Sequence, residues 1–179
     1  GGDALNPQAS MKIYAAKGRP SDNPLIVHIA EFDKLAPIVA EVPEKAKILA
    51  EKYWPGPLTM IVPKGDCIPD EVSCGLDTVG IRLPSHPMAR ALIRESGVPL
   101  AAPSANTSGR PSTTTAAHVM HDMDGKIAAV LDGGACGVGV ESTVITLALE
   151  RPRLLRPGEE MGPVSVTYNP NHQQPNVWG

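Results

Sequence analysis

Two fixed positive charges begin a short loop ahead of an apolar run. Lys17 and Arg19 start this loop, and Asn23 and Pro24 end it. A guanidinium offers a two-pronged donor and an ammonium a point charge, and both bind phosphate oxygens. The loop therefore suits contact with a polyphosphate. The same charges would also suit a loop that is simply solvated, and the loop alone leaves both interpretations open.

A single histidine interrupts the apolar run at residues 25–30. The alternation of a strand places His28 on the opposite face from Val27 and Ile29. A histidine in this position is either a packed core or edge residue or a contact to a substrate. Its role depends on which side chains the fold brings beside it.

The segment at residues 78–84 repeats this arrangement with an arginine. Thr78 and Arg82 share one face of the predicted strand, and apolar residues occupy the other. An unpaired guanidinium in apolar surroundings is costly, so Arg82 requires an anionic partner. An internal carboxylate and a ligand carboxylate are both compatible with the sequence.

Polar residues follow the apolar segment at residues 98–103 and lead to a predicted helix. Ser104, Asn106 and Ser112 belong to this loop. Ligands of open α/β sheets bind at the carboxyl ends of strands, and helix N-termini present amide donors to anions. An ordinary capping loop would use the same residue types. The glycine-rich segment at residues 131–144 matches neither the P-loop nor the dinucleotide fingerprint.

Common nucleophile and metal motifs are missing. The sequence has no Gly-x-Ser-x-Gly elbow, no His-Glu-x-x-His motif and no histidine pair at ligand spacing. Three scattered cysteines provide neither a disulfide framework nor a four-ligand zinc site. An enzyme with this sequence would act by positioning and charge neutralisation, as phosphoryl and nucleotidyl transfer can.

The composition indicates one globular domain. The chain has 179 residues, 42% of them hydrophobic and 20% charged, and a formal net charge of −3. This charge disfavours a general attraction to nucleic acid. No apolar run approaches the roughly 18 residues of a membrane span, and we expect a cytoplasmic protein without membrane contact.

Helical and strand patterns alternate along the chain. Helices are predicted at 7–17, 34–41, 43–53, 87–96 and 113–123, and strands at 25–30, 58–63, 78–84, 98–103, 126–134, 141–147 and 151–158. This order predicts an α/β fold with a mixed sheet flanked by helices. Residues 159–179 are polar and rich in proline and asparagine, which predicts an irregular tail or the start of a linker.

Six segments, taken in order, resemble the YrdC-like family of threonylcarbamoyl-AMP synthases. They are KGRPSDNPLIVHI, WPGPLT, TVGIRLP, APSANTSGRPS, GVGVESTVI and RLLRPG, and the resemblance covers residues 1–158. It implies a twisted mixed sheet with a concave substrate cleft. It also implies that residues 1–158 form a catalytic domain that starts after the family's first strand, which carries a threonine contact.

The family forms L-threonylcarbamoyladenylate and pyrophosphate from L-threonine, bicarbonate and ATP, for threonylcarbamoyladenosine modification of tRNA. The resemblance implies no covalent nucleophile and assigns charge neutralisation to Lys17 and Arg19. It implies ATP contacts from Arg19, Asn23, Thr78, Ser104, Ser112 and Arg156. It implies threonine contacts from His28, Arg82, Ala102 and Ser142.

Further expectations concern cofactors and partners. Mg²⁺ is expected with ATP, no metal is expected on protein ligands, and no organic cofactor is expected. The product is expected to pass to a threonylcarbamoyl transferase complex. One alternative is an RNA-binding module without catalysis, or a weak RNA surface around Lys17, Arg19 and Arg110. YrdC-like domains also occur in carbamoyl phosphate-processing proteins, but those carry cysteine-rich zinc modules of which this sequence shows no sign.

Overall fold

The computed structural model of the chain describes residues 1–136 and 141–158. Its strands are β1 (Gly2–Asp3), β2 (Ile26–His28), β3 (Leu58–Pro63), β4 (Thr78–Arg82), β5 (Leu100–Ala101), β6 (Thr143–Thr146) and β7 (Arg153–Arg156). Its α-helices are α1 (Pro7–Lys17), α2 (Glu44–Tyr53), α3 (Asp70–Ser73), α4 (Pro87–Ser96) and α5 (Ala116–Met123). The strands form a single sheet in the order β1-β5-β2-β4-β3-β6-β7. The predicted α/β fold with a mixed sheet is confirmed.

Local sequence signals set the ends of the first helix. The side chain of Asn6 accepts a hydrogen bond from the Gln8 amide at 3.0 Å, and Pro7 occupies the first turn. Gly18 ends the helix with a left-handed φ of 60°, which glycine adopts without a Cβ penalty. Lys17 and Arg19 are thereby placed on either side of a sharp turn.

The core lies on both faces of the central strands. In β3 the residues from Leu58 to Val62 are all buried, as expected for a strand that is covered on both sides. Val27 and Ile29 pack in the same core. An aliphatic core of this kind holds the strand ends in fixed positions around any site built there.

The sheet topology gathers several strand ends at one edge. Strands β2 and β4 run parallel, and His28 is opposite Arg82 where they end. Strand β3 runs antiparallel to β4, so its beginning, at Thr59, lies opposite Arg82. Strand β6 runs parallel to β3 and starts at this edge, where β7 ends with Arg156 opposite Val144. Residues distant in sequence therefore converge.

Two predicted elements are wrong. The predicted helix at 34–41 is replaced by two 3₁₀ turns, Phe32–Lys34 and Ala36–Ile38, because Pro37 cannot donate an amide hydrogen bond to a continuing helix. The predicted strand at 126–134 has no strand structure. Ile127 and Leu131 in that segment are exposed, so its apolar residues have no core face to join.

A two-residue strand, β1, pairs with β5 in a segment without a predicted element. The predicted tail at 159–179 lies outside the described residues. None of the helices in the described ranges combines the length and the hydropathy needed to cross a membrane.

Candidate active site

A cavity of about 350 Å³ lies at the edge of the sheet where these strand ends meet. Three arginines, Arg19, Arg82 and Arg156, line it, and Glu141 is the one carboxylate among the described lining residues. Apart from Ile26, the remaining lining residues are polar or small: Asn23, Pro24, His28, Ala102, Pro103, Ser104, Ser112, Thr113, Thr114, Cys136 and Ser142. The cavity is thus a cationic cleft rich in hydroxyl groups.

Arg82 is oriented by the tight turn before β3. Its Nε donates to the carbonyl of Gly56 at 3.1 Å, and the Gly56 amide donates to the carbonyl of Leu83 at 2.9 Å. A Cβ at position 56 would lie 2.3 Å from the Tyr53 carbonyl oxygen, so only glycine fits there. The WPGP segment thereby helps to hold the guanidinium at the cavity wall.

His28 lines the cavity as a neutral imidazole. Burial, together with the charge of Arg82, lowers the pKa of His28 to about 4, although the nearby carbonyls of Leu100 and Ile26 oppose the shift. Its Nδ1 atom is fully enclosed and makes no hydrogen bond with the described residues. An unpartnered buried nitrogen is rare in native structures and is a feature expected of functional sites.

The depressed pKa of His28 has a measurable consequence. The unfolded chain takes up a proton near pH 6.5 and the folded chain only near pH 4. Above pH 6.5 His28 is neutral in both states, and the free energy of unfolding keeps its full value. As the pH falls from 6.5 toward 4, proton uptake by the unfolded chain lowers the free energy of unfolding by about 3 kcal/mol. Over this pH range we expect the free energy of unfolding, measured with urea, to fall more for the wild type than for His28→Gln. If the free energies of unfolding of the two proteins changed with pH in parallel, the lowered pKa of His28 would be contradicted.

Ser142 is held by two neighbours at the start of β6. Its hydroxyl lies 2.9 Å from that of the buried Thr59. Arg156 donates to the Ser142 carbonyl through Nε and Nη2, at 3.2 and 3.1 Å, and to its hydroxyl at 3.3 Å. Ser142 and Arg156 thus form one rigid corner of the cleft. Thr59 was not predicted, although it lies within the WPGPLT segment.

Arg19 is folded back onto its own loop. Its guanidinium donates to the carbonyl of Asn23 at 3.2 and 3.3 Å and to that of Pro24 at 3.3 Å. The hydroxyl of Tyr14 also reaches the Asn23 carbonyl, at 3.4 Å, and the Glu71 carbonyl, at 3.0 Å. The loop is therefore ordered by its own cation and by α1.

Lys17 is buried, with only 4% of its surface exposed. Its ammonium donates to the Ser104 carbonyl, to the Asn106 carbonyl at 2.6 Å and to the Asn106 side-chain oxygen at 3.5 Å. Burial and then the charge of Arg19 lower the pKa of Lys17 to about 8. Lys17 thus connects the end of α1 to the polar loop at 104–112.

A carboxylate on α5 holds the same loop from the other side. Asp122 accepts from the Thr107 amide at 2.9 Å and from Arg110 at 2.7 Å. The Thr107 amide, then His121 and Arg110, hold the pKa of Asp122 at about 2. The position of Ser104 and Ser112 at the cleft therefore depends on side chains that do not line it.

The cavity brings together most of the predicted site residues. Nine of them line it: Arg19, Asn23, His28, Arg82, Ala102, Ser104, Ser112, Ser142 and Arg156. Lys17 is not among the lining residues, since its ammonium is bonded to the loop carbonyls. Thr78 also lies outside the lining. It begins β4, about 13 Å from Arg82 along an extended strand, so the cleft gives no support to its predicted ATP contact.

Four lining residues with reactive or polar side chains were not predicted. Thr113 and Thr114 directly follow Ser112, and Glu141 directly precedes Ser142 within the GVGVESTVI segment, so adjacency to predicted residues could have indicated them. Cys136 lines the cavity and lies in the glycine-rich segment, which carried no specific prediction.

The proposed RNA surface around Lys17, Arg19 and Arg110 is not formed as an open cationic patch. Lys17 is buried and Arg19 is engaged by loop carbonyls. Arg110 forms an ion pair with Asp122. Phosphate-tracking surfaces need several accessible cations, which this face does not present.

The fold and the cleft define an α/β protein with a cationic cleft, in which three guanidinium groups and a neutral imidazole lie at one edge of the sheet. The sequence model of the Sua5/YciO/YrdC family, described as "Telomere recombination", matches residues 1–158. The chain belongs to this family, and the resemblance noted in the sequence is confirmed.

Individual relatives agree with this assignment. The threonylcarbamoyl-AMP synthase of Bacillus subtilis (strain 168) is 59% identical over 159 residues, which are 88% of this chain and 46% of that protein. A putative threonylcarbamoyl-AMP synthase of Mycobacterium tuberculosis (strain H37Rv) is 34% identical, over 88% of this chain and 72% of that protein. The chain spans about half the length of the first of these.

The crystal structure of Pyrococcus abyssi Sua5 complexed with L-threonine superposes with a TM-score of 0.87 at 52% identity. The match covers 88% of this chain and 46% of that chain. The twisted sheet and its flanking helices are thus shared with a protein that binds L-threonine.

Proposed function

We propose that residues 1–158 form the catalytic domain of a threonylcarbamoyl-AMP synthase. The reaction joins L-threonine, bicarbonate and ATP into L-threonylcarbamoyladenylate and releases pyrophosphate, for threonylcarbamoyladenosine modification of tRNA. The observation that carries the proposal is the convergence, in one cavity, of five predicted ATP residues and all four predicted threonine residues. These residues come from β2, β4 and β7 and from the loops beside β2, β5 and β6.

The geometry supports an amino-acid pocket near the ends of β2 and β4. Arg82, fixed by the Gly56 carbonyl, would bind the threonine carboxylate with a guanidinium fork. His28 is neutral at physiological pH and can contact a polar group without adding charge. Ser142, held by Thr59 and Arg156, would present its hydroxyl to the same ligand.

The nucleotide would lie across the other half of the cavity. Arg19 and Arg156 line it as cations, with Asn23, Ser104 and Ser112 as neutral polar groups. Within the described residues no group of three His, Cys, Asp or Glu side chains is arranged to hold a metal ion. We propose that Mg²⁺ enters with ATP, where it would reduce the negative charge of the phosphates.

The obstacle in this reaction is the approach of two anions. Threonine and bicarbonate give a carbamate and water, and a carbamate oxygen then attacks the α-phosphorus while the bond to pyrophosphate breaks. Preorganised donors aimed at developing charge are worth roughly 3 to 4 kcal/mol each in such steps. Arg19 and Arg156 are placed to act in this way, and Lys17 would act by fixing the loop that carries Ser104.

A direct assay tests the proposal. The protein is incubated with ATP, bicarbonate and Mg²⁺, with and without L-threonine, and pyrophosphate and the adenylate are measured. We expect pyrophosphate release that requires threonine and bicarbonate, together with a product of the mass of threonylcarbamoyl-AMP. Release that is indifferent to threonine would contradict the proposal.

The wider context follows from this reaction. The product would be consumed by a threonylcarbamoyl transferase complex acting on tRNA, and we propose a cytoplasmic location with no requirement for direct RNA contact. Any RNA binding by the chain itself would be weak, because Lys17 is buried and Arg110 is paired with Asp122.

A further inference from the structure

A carboxylate occupies the part of the cleft assigned to the nucleotide. Glu141 accepts a hydrogen bond from the Ser112 hydroxyl at 3.1 Å through Oε1. Its Oε2 lies 2.5 Å from Nη1 of Arg156. Both partners are predicted ATP contacts, so a single side chain joins two groups that are assigned to one ligand.

The remaining nitrogens of Arg156 are directed elsewhere. Its Nε and Nη2 atoms donate to the carbonyl of Ser142. The Nη1 atom is the part of the guanidinium that contacts Glu141. A phosphate that made a two-pronged contact with Arg156 would therefore have to take the position of the Glu141 carboxylate or disrupt the Ser142 corner.

Displacing this carboxylate is feasible. The side chain of Glu141 is 47% exposed, whereas that of Arg156 is 21% exposed. An ion pair with a half-exposed partner is weak, and the carboxylate can rotate toward solvent. Its negative charge also extends to Arg19, since it opposes the lowering of the Arg19 pKa that burial causes.

We propose that Glu141 competes with phosphate for this cleft, because its carboxylate occupies a phosphate position beside Ser112 and Arg156 and must be displaced by the nucleotide. This inference rests on the proposed function. A single inorganic phosphate can replace only the two contacts of Glu141 and gains little. A nucleotide polyphosphate can add contacts to Arg19 and Ser104, which also line the cavity, and so overcomes the competition.

Calorimetric titration of Glu141→Gln tests this proposal. Glutamine keeps the size of the side chain and an oxygen acceptor but removes the charge. In low-salt buffer with EDTA, we expect ATP and inorganic phosphate each to bind about five- to tenfold more tightly than to the wild type. Affinity for L-threonine should stay within about twofold, which also shows that the variant is folded.

Glu150→Gln provides a matched control. Glu150 is exposed, lies outside the cavity lining and carries the same charge, so its replacement should leave all three affinities unchanged. If the wild type binds ATP and Glu141→Gln binds it no more tightly, this inference is overturned and the proposed function stands. A wild type that binds no ATP, with or without Mg²⁺, would overturn the proposed function and this inference with it.

Discussion

Replacing Lys17 with methionine is expected to lower the free energy of unfolding by about 3 kcal/mol, since one buried and one partly buried carbonyl lose their donor. The carbonyls of Ser104 and Asn106 accept from this ammonium, and methionine has a similar length without a donor. The loop that carries Ser104 and Ser112 would then shift. A displacement of this kind costs about 100-fold in rate when it affects groups that position a substrate.

Urea unfolding and the threonine-dependent pyrophosphate assay measure the two effects. Lys12→Met is the control, because Lys12 is an exposed residue of the same helix. L-threonine should bind Lys17→Met within about threefold of the wild type, since its proposed pocket is built from other strand ends. If the variant is as stable as Lys12→Met, the connection between α1 and the loop is not important for the fold.

Arg82→Lys is expected to weaken L-threonine binding by at least about tenfold while changing ATP binding by less than about threefold. Lysine supplies a point charge but neither the planar fork nor the Nε donor. The Nε of Arg82 donates to the Gly56 carbonyl. A lysine ammonium at this position would lose that orienting hydrogen bond and the two-pronged match to a carboxylate.

Calorimetric titration of each ligand separately measures this difference. Arg94→Lys is the control, since Arg94 is an exposed arginine of α4 that pairs with Glu31 and does not line the cavity. Equal losses of threonine and ATP affinity in Arg82→Lys would show that Arg82 acts on the cleft as a whole and not on the amino acid.

Some parts of the fold could be predicted because their signals are local. The cap at Asn6 and the stop at Gly18 delimit α1 as expected, and α4 covers the predicted residues 87–96. Elements whose existence depends on distant partners were predicted less well. The segment at 126–134 has the composition of a strand, but its side chains remain exposed.

The sequence by itself determined the family, the alternating α/β order and the residue types of the cleft, because motifs and hydrophobic periodicity are properties of neighbouring positions. The tertiary structure decided which of these residues meet. Parallel pairing of β2 with β4 and of β3 with β6 brings His28, Arg82 and Ser142 to one edge, and the same strand direction puts Thr78 at the far end. It also enclosed Lys17, which was predicted to neutralise charge, among the loop carbonyls and placed Glu141 against Arg156. Such outcomes depend on strand direction and side-chain burial, which arise from contacts between residues far apart in the chain.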